Sequence, residues 1–318
     1  VVVEEGVQRP SRNPVAAIDC GTNTVKLLIG TLPEVAVREM RMVRLGEGVD
    51  TTGELSAAAL ARCFAAIDEY AALIAEHGVP AERIRFCATS ASRDARNADV
   101  FAQGVRERLG VLPEVIAGEE EAALSFDGAV RNLREPAAPP VLVVDIGGGS
   151  TELVLGVDAP AAAVSLDIGS VRMHERHLHG DPATADQVAA CVADVDAALD
   201  RAEAAGVDLS SAASVVGVAG TCTTVAAGCL DLPAYDRDAI DQAVLTVAET
   251  HAFAERLLAA PVAERLAMPF MHPGRADVID AGALILDRVL RRTSVDAWTV
   301  SESDILDGIA WSVAARGA

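Results

Sequence analysis

Two short stretches of the chain set a carboxylate beside a turn of small residues. In Val141 to Gly156, VLVVDIGGGSTELVLG, an apolar, mostly β-branched run leads into Asp145. Gly147, Gly148 and Gly149 follow, then Ser150, Thr151 and Glu152, then a second apolar run. The pattern reads as strand, tight turn, strand, with Asp145 at the end of the first strand. Consecutive glycines leave the backbone free to adopt φ > 0 and put no side chains in the way, so the turn's N–H groups can converge on an anion. Asp145 and Glu152 on the two shoulders would repel a bare phosphate but suit one bridged by a divalent metal. For the glycines alone, a hairpin with no ligand is an equal reading. The earlier stretch VAAIDCGTNTVKLLIG lies on this one without a gap: Val15 on Val141, Asp19 on Asp145, Gly21 on Gly147, Leu27 on Leu153 and Gly30 on Gly156, with Thr24 on Ser150. The match reads as an internal duplication, with one phosphate loop opening each half of the chain.

Three further groups could carry chemistry. Glu119, Glu120 and Glu121 open a helical pattern over 118–131; acids in a first turn usually complement the helix dipole, but one beside the second loop could polarise a water. Arg93 follows a strand and could pair with phosphate oxygens through its fork of donors, or simply be solvated. Gly220 and Thr221 stand at a strand-to-helix turn, which is a general anion site and also a good cap. The clustered His174, His177 and His179 read as surface or packing residues, not as a zinc site.

The elements that must position these groups alternate. A strand pair over 35–45 is followed by a helix with Ser56 as N-cap and Gly78 as C-cap, whose Leu60, Phe64, Ile67, Ala71 and Ile74 recur at helical spacing. Strands are expected over 83–89, 113–116, 163–168, 214–218 and 295–300. Helices are expected up to Leu109, from Asp181-Pro182 to near Gly206, after Thr224, and over 238–259, 275–292 and 304–315. The polar SASRDARNA reads as a loop. This alternation argues an α/β architecture. The proline-rich segment over 135–140 is the clearest linker, giving a tail over 1–13, a first domain over 14–135 and a second over 136–318.

Composition narrows the partners. The 318 residues carry 26 basic and 47 acidic side chains, a net charge of −21, which argues against nucleic acid and anionic membranes as partners. No apolar run approaches the ~20 residues that span a bilayer, and the N-terminal residues lack the pattern of a signal peptide. The six cysteines form no CxxC pair and read as free thiols of a reducing cytoplasm. Of the 26 basic residues only Lys26 is a lysine, which reads as codon bias.

DCGTNT at 19–24, TSASRDARNA at 89–98, GEEEA at 118–122, DIGGGSTEL at 145–153, GVAGT at 217–221 and RADVIDAGALIL at 275–286 together resemble the exopolyphosphatase/guanosine-pentaphosphatase (Ppx/GppA) family of the actin-like ATPase superfamily. The resemblance covers about 14–316 and looks like the short, two-domain form. It implies two ribonuclease-H-like domains with the site in the cleft between them. It also implies magnesium-dependent release of orthophosphate from the end of inorganic polyphosphate, with manganese as an alternative metal. Glu121 matches the family's general base. Asp145 and Glu152, with Asp19 as the duplicated counterpart, match acids near the metal. Gly21, Thr22, Asn23, Thr24, Gly147, Gly148, Gly149 and Ser150 match the phosphate loops, and Arg93 a phosphate-contacting arginine. The family also suggests a homodimer and an alternative substrate, the stringent-response nucleotide guanosine pentaphosphate. An ATP-driven switch protein of the same superfamily is the rival from another class. The chain departs from the family pattern at Asp307, where many relatives have glutamate, and at Asp241, where many have histidine.

Overall fold

The duplicated stretches fold as two hairpins of identical register. In the computed structural model, which describes residues 14–316, the strands of the first half are Val15–Cys20 (β1), Thr24–Thr31 (β2), Glu34–Met42 (β3), Ile84–Ala88 (β4) and Glu114–Val115 (β5). Those of the second are Val141–Ile146 (β6), Thr151–Gly156 (β7), Pro160–Leu166 (β8), Ser214–Val218 (β9), Val244–Thr246 (β10) and Ala297–Val300 (β11). Across β1 and β2 Asp19 faces Lys26, and across β6 and β7 Asp145 faces Glu152. The sheet orders match as well: β3-β2-β1-β4-β5 in one, and β8-β7-β6-β9-β11-β10 in the other. Each is an antiparallel meander extended by two parallel strands, the ribonuclease-H-like arrangement, and β10 adds an antiparallel edge to the second. The tail expected over 1–13 lies outside the described residues.

Each sheet is covered on both faces, so its central strands alternate between two cores. Ala16, Ile18 and Cys20 of β1 face a cluster with Ile67, Phe86 and Phe101. Val15 and Ala17 face the last helix, Ile305–Ala315, through Ile309 and Val313. Leu142, Val144 and Ile146 of β6 point into the largest core, with Val195, Leu199 and Leu286. Val141 and Val143 meet Ala122, Phe126 and Ala129 of helix Gly118–Arg131.

Two helices therefore cross the division drawn at the linker. Helix Gly118–Arg131 precedes it but packs on the second sheet, and helix Ile305–Ala315 ends the chain but packs on the first. They meet backbone to backbone. A Cβ on Gly128 would fall 1.9 Å from the Asp304 carbonyl oxygen, and one on Gly308 2.0 Å from that of Leu124, so only glycine allows the crossing.

Local differences from the expected elements have capping or pairing causes. The helix expected over 238–259 is broken: Asp236 caps one turn, Arg237–Ile240, Gln242 turns the chain at φ 66°, and Val244–Thr246 pairs with β11. Thr246 and Glu249 then form a capping box that starts helix Val247–Ala259. The expected loop SASRDARNA begins with a short helix, Ser90–Asp94, and the histidine-rich stretch lies partly in helix Ser170–His177.

Candidate active site

Both loops open onto one cleft. Asp19, Gly21, Thr22, Asn23 and Thr24 line one side, and Asp145, Gly147, Gly148, Ser150 and Glu152 the other. The loops touch. Thr22 Oγ1 lies 2.9 Å from Ser90 Oγ, and a Cβ on Gly149 would fall 2.5 Å from the first and 2.6 Å from the second. A Cβ on Gly148 would come within 3.0 Å of Thr22 Cβ. None of the three glycines has a positive φ, contrary to the turn expected from the sequence. Glycine is needed here for the close approach of the opposing loop, and Gly149 faces that contact without lining the cleft.

Glu121 enters the cleft from the first turn of helix Gly118–Arg131. It is 6% exposed, whereas Glu119 and Glu120 point outward, Glu120 accepting from Arg85 Nη2 at 2.5 Å. Burial pushes the Glu121 carboxyl up to about 7, with Arg93 pulling it down and Asp19 and Asp145 adding to the rise. Arg93 Nη1 donates to Glu121 Oε2 at 2.7 Å and to the Ile116 carbonyl at 2.9 Å. Arg93 is not among the residues lining the cleft, and its Nη1 grips Glu121 from behind the cleft wall.

The other acids are crowded. Burial pushes Asp145 up to about 6 against the pull of Lys26 and of the Ser125 hydroxyl, which donates to Asp145 Oδ2. Glu152 is raised well above its ordinary range by burial, then by Glu121 and Asp145, although Ser165 Oγ donates to it at 2.7 Å. Burial raises Asp19 too. Among the described residues, no three His, Cys, Asp or Glu side chains converge closely enough to hold a metal by themselves.

Two cations at this site were missed in the sequence. Lys26 Nζ donates to Asp304 Oδ2 at 2.6 Å and lies 3.4 Å from Asp19 Oδ2. Burial alone would depress its ammonium, but Asp304, Asp19 and Asp145 hold it above the ordinary lysine value. The signal was present: in the duplication Lys26 falls on Glu152, so one half offers a cation where the other offers a carboxylate. Arg275 lines the cleft, donates to Thr224 Oγ1 at 3.0 Å, and forms no ion pair among the described residues. It opens the RADVIDAGALIL motif, but nothing in that motif shows that it reaches the site, because it comes from the far end of the second half.

Gly220 and Thr221 line the cleft at the start of helix Ala219–Cys229, whose N-cap, Val218, supplies no side-chain cap. Its first N–H groups and the positive end of its dipole are thus available to an anion. Ala219 sits at φ 65°, a strained conformation for a residue with a Cβ, beside the cleft. Two of the three clustered histidines have carboxylate partners, brought by other helices: His177 Nε2 lies 2.9 Å from Asp194 Oδ2, and His174 Nδ1 3.3 Å from Asp280 Oδ1.

A second cavity of about 490 Å³ opens beside the cleft and shares Lys26, Ala219, Gly220 and Arg275 with it. Tyr235, Phe270 and Met271 give it apolar walls. The two departures noted above border this region: Asp307 pairs with Arg38, which lines the cavity, and Asp241 accepts from the Glu302 N–H at 3.1 Å.

Comparison with known proteins agrees with this arrangement. The Ppx/GppA phosphatase family matches residues 26–316. Exopolyphosphatase 2 of Mycobacterium tuberculosis is 46% identical over 318 residues, covering 94% of this chain and 98% of that protein. A crystal structure of an exopolyphosphatase-like protein superposes with a TM-score of 0.92 at 42% identity, covering 96% of this chain and 100% of that one. A guanosine-5'-triphosphate,3'-diphosphate pyrophosphatase of Photobacterium profundum is 36% identical over 202 residues, 60% of this chain and 38% of its own length. With its duplicated loops, its acidic cleft and a match along nearly its whole length, the chain belongs to the Ppx/GppA phosphatase family.

Proposed function

We propose that this phosphoanhydride hydrolase is an exopolyphosphatase that releases orthophosphate from the end of inorganic polyphosphate. The observation that carries the reading is Glu121: a buried carboxylate near neutrality, held by Arg93, in a cleft otherwise built for phosphates. With Oε2 engaged by Arg93, the second oxygen is the one to orient a water and take its proton. The water's oxygen attacks the terminal phosphorus, the anhydride bond to the next phosphate breaks, and the shortened chain leaves with the bonding electrons. Phosphoryl transfer of this kind depends on positioning and charge neutralisation. Ser150 and Thr22 on the loops, the uncapped helix start at Ala219 and the Arg275 guanidinium supply donors on three sides.

The donor set fits magnesium. Asp145 and Glu152 face each other across one rung of β6 and β7, and their crowding with Asp19 and Glu121 calls for a compensating positive charge. Magnesium keeps several waters and takes one or two carboxylates together with substrate phosphates, so a site without three converging protein ligands suits it. When bound it would neutralise charge on the phosphates, which a chain of net charge −21 otherwise repels.

The apolar cavity beside the cleft favours a second reading, hydrolysis of guanosine pentaphosphate, because Tyr235 and Phe270 could pack a base while the phosphates reach the loops. The deciding experiment measures phosphate release from polyphosphates of defined length beside guanosine pentaphosphate, with magnesium and manganese compared. Turnover of polyphosphate at the higher kcat/KM is expected. Turnover of the nucleotide with none of polyphosphate would overturn the proposal.

A further inference from the structure

Arg172 stands outside the cleft, in the first turn of helix Ser170–His177, and its guanidinium serves three segments of the chain. Nε donates to the Gly149 carbonyl at 2.7 Å, Nη1 to Asp50 Oδ1 at 2.8 Å, and Nη2 to Asp94 Oδ2. Gly149 belongs to the glycine loop of the second half; both carboxylates belong to the first. Asp94 closes the short helix Ser90–Asp94, whose Ser90 lines the cleft and whose Arg93 holds Glu121. The Arg172 side chain is only 13% exposed, so these bonds are partly desolvated, unlike ordinary surface pairs.

A guanidinium is planar and its donors point in fixed directions, so filling three of them fixes the spacing of their acceptors. The Gly149 carbonyl and the Ser150 N–H share one trans peptide plane and point opposite ways. Drawing the carbonyl toward Arg172 therefore aims the Ser150 N–H away from it, and Ser150 lines the cleft. We propose that Arg172 is a positioning residue: it ties the glycine loop of the second half to Asp50 and Asp94 of the first, and so sets that loop's donors at the distance where the terminal phosphate is held for attack. The inference rests on the cleft being a phosphoanhydride hydrolase site.

Arg172→Gln tests it, with the Asp50→Asn/Asp94→Asn pair as the reciprocal change. Arg288→Gln serves as control, because Arg288 pairs with Asp196 and touches neither the glycine loop nor the two anchoring carboxylates. Arg172→Gln is expected to lower kcat about 10- to 100-fold with KM changed less than about threefold, since small misplacements of a reacting group cost that much. The paired asparagines should lower kcat in the same way and add little to Arg172→Gln, while the control keeps wild-type kcat. Amide exchange over 147–150, followed without substrate, should quicken in Arg172→Gln while β6 and β9 stay protected. Wild-type kcat in Arg172→Gln, an equal loss in the control, or unchanged exchange over 147–150 would each overturn the proposal. If the wild-type protein hydrolyses neither substrate, the hydrolase reading fails by itself, and the exchange result still decides the clamp.

Discussion

Glu121 has two oxygens in different company, and the proposed mechanism turns on that asymmetry. Oε2 is held by Arg93 at 2.7 Å, so the same contact that orients the carboxylate also restrains its rise in pKa. A general base acts only when ionised. With its carboxyl pushed up to about 7, kcat/KM should fall as the pH drops through that value. Removing the arginine removes a group that lowers the pKa, so Arg93→Gln should move the rising limb to higher pH. Glu121→Gln should cost roughly 10²–10⁴-fold in kcat while substrate still binds. A pH–rate series on the three proteins, with substrate binding measured separately, checks both; a limb that moves to lower pH in Arg93→Gln would refute the assignment. Glu121 was legible because GEEEA is a dense local pattern. The grip of Arg93 on Glu121 was not legible, because that partner lies on another helix.

At the scale of elements, the two hairpins do more than carry loops; they press the loops together. Gly149 sits where a methyl group would strike Thr22 Oγ1 and Ser90 Oγ. Gly149→Ala should push the loops apart, lowering turnover by about 10- to 100-fold while costing stability about 1–3 kcal/mol as a local overpacking. Steady-state kinetics beside chemical denaturation would separate the two effects, and unchanged kcat would show that loop contact is not needed. The strand-turn-strand units and their duplication were readable because strand period and turn residues are local signals. The reason for the glycines was not, because it lies in a segment far away in the chain. The same holds for β10, hidden inside an expected helix until pairing with β11 claimed it.

Across the whole molecule, burying Asp19, Glu121, Asp145 and Glu152 together has a thermodynamic signature. Burial raises all four carboxyls in the folded state, so the fold binds their protons more tightly than the unfolded chain does. The stability such a group contributes is full below its unfolded value and is lost as pH rises through its folded value. For Glu121 that window runs from 4.5 to about 7. Without metal, unfolding free energy should therefore fall between about pH 5 and about pH 8, by roughly 3 kcal/mol from Glu121 alone. Magnesium should restore part of it at the upper end. Denaturation curves across the range test this, and stability that rises with pH would contradict it.

By itself the sequence determined the two halves, their matching loops, Glu121 and the acidic shoulders, because each is written in neighbouring residues whose period, turn chemistry and charge act locally. Tertiary structure alone decided which groups meet. It exchanged helices Gly118–Arg131 and Ile305–Ala315 between the sheets, which carries Glu121 onto the second half. It also set Arg93 on the Glu121 carboxylate, and brought Lys26 and Arg275 to one cleft. Those outcomes depend on burial and on pairing between distant segments, so a local pattern can contain a residue without showing which partner it meets.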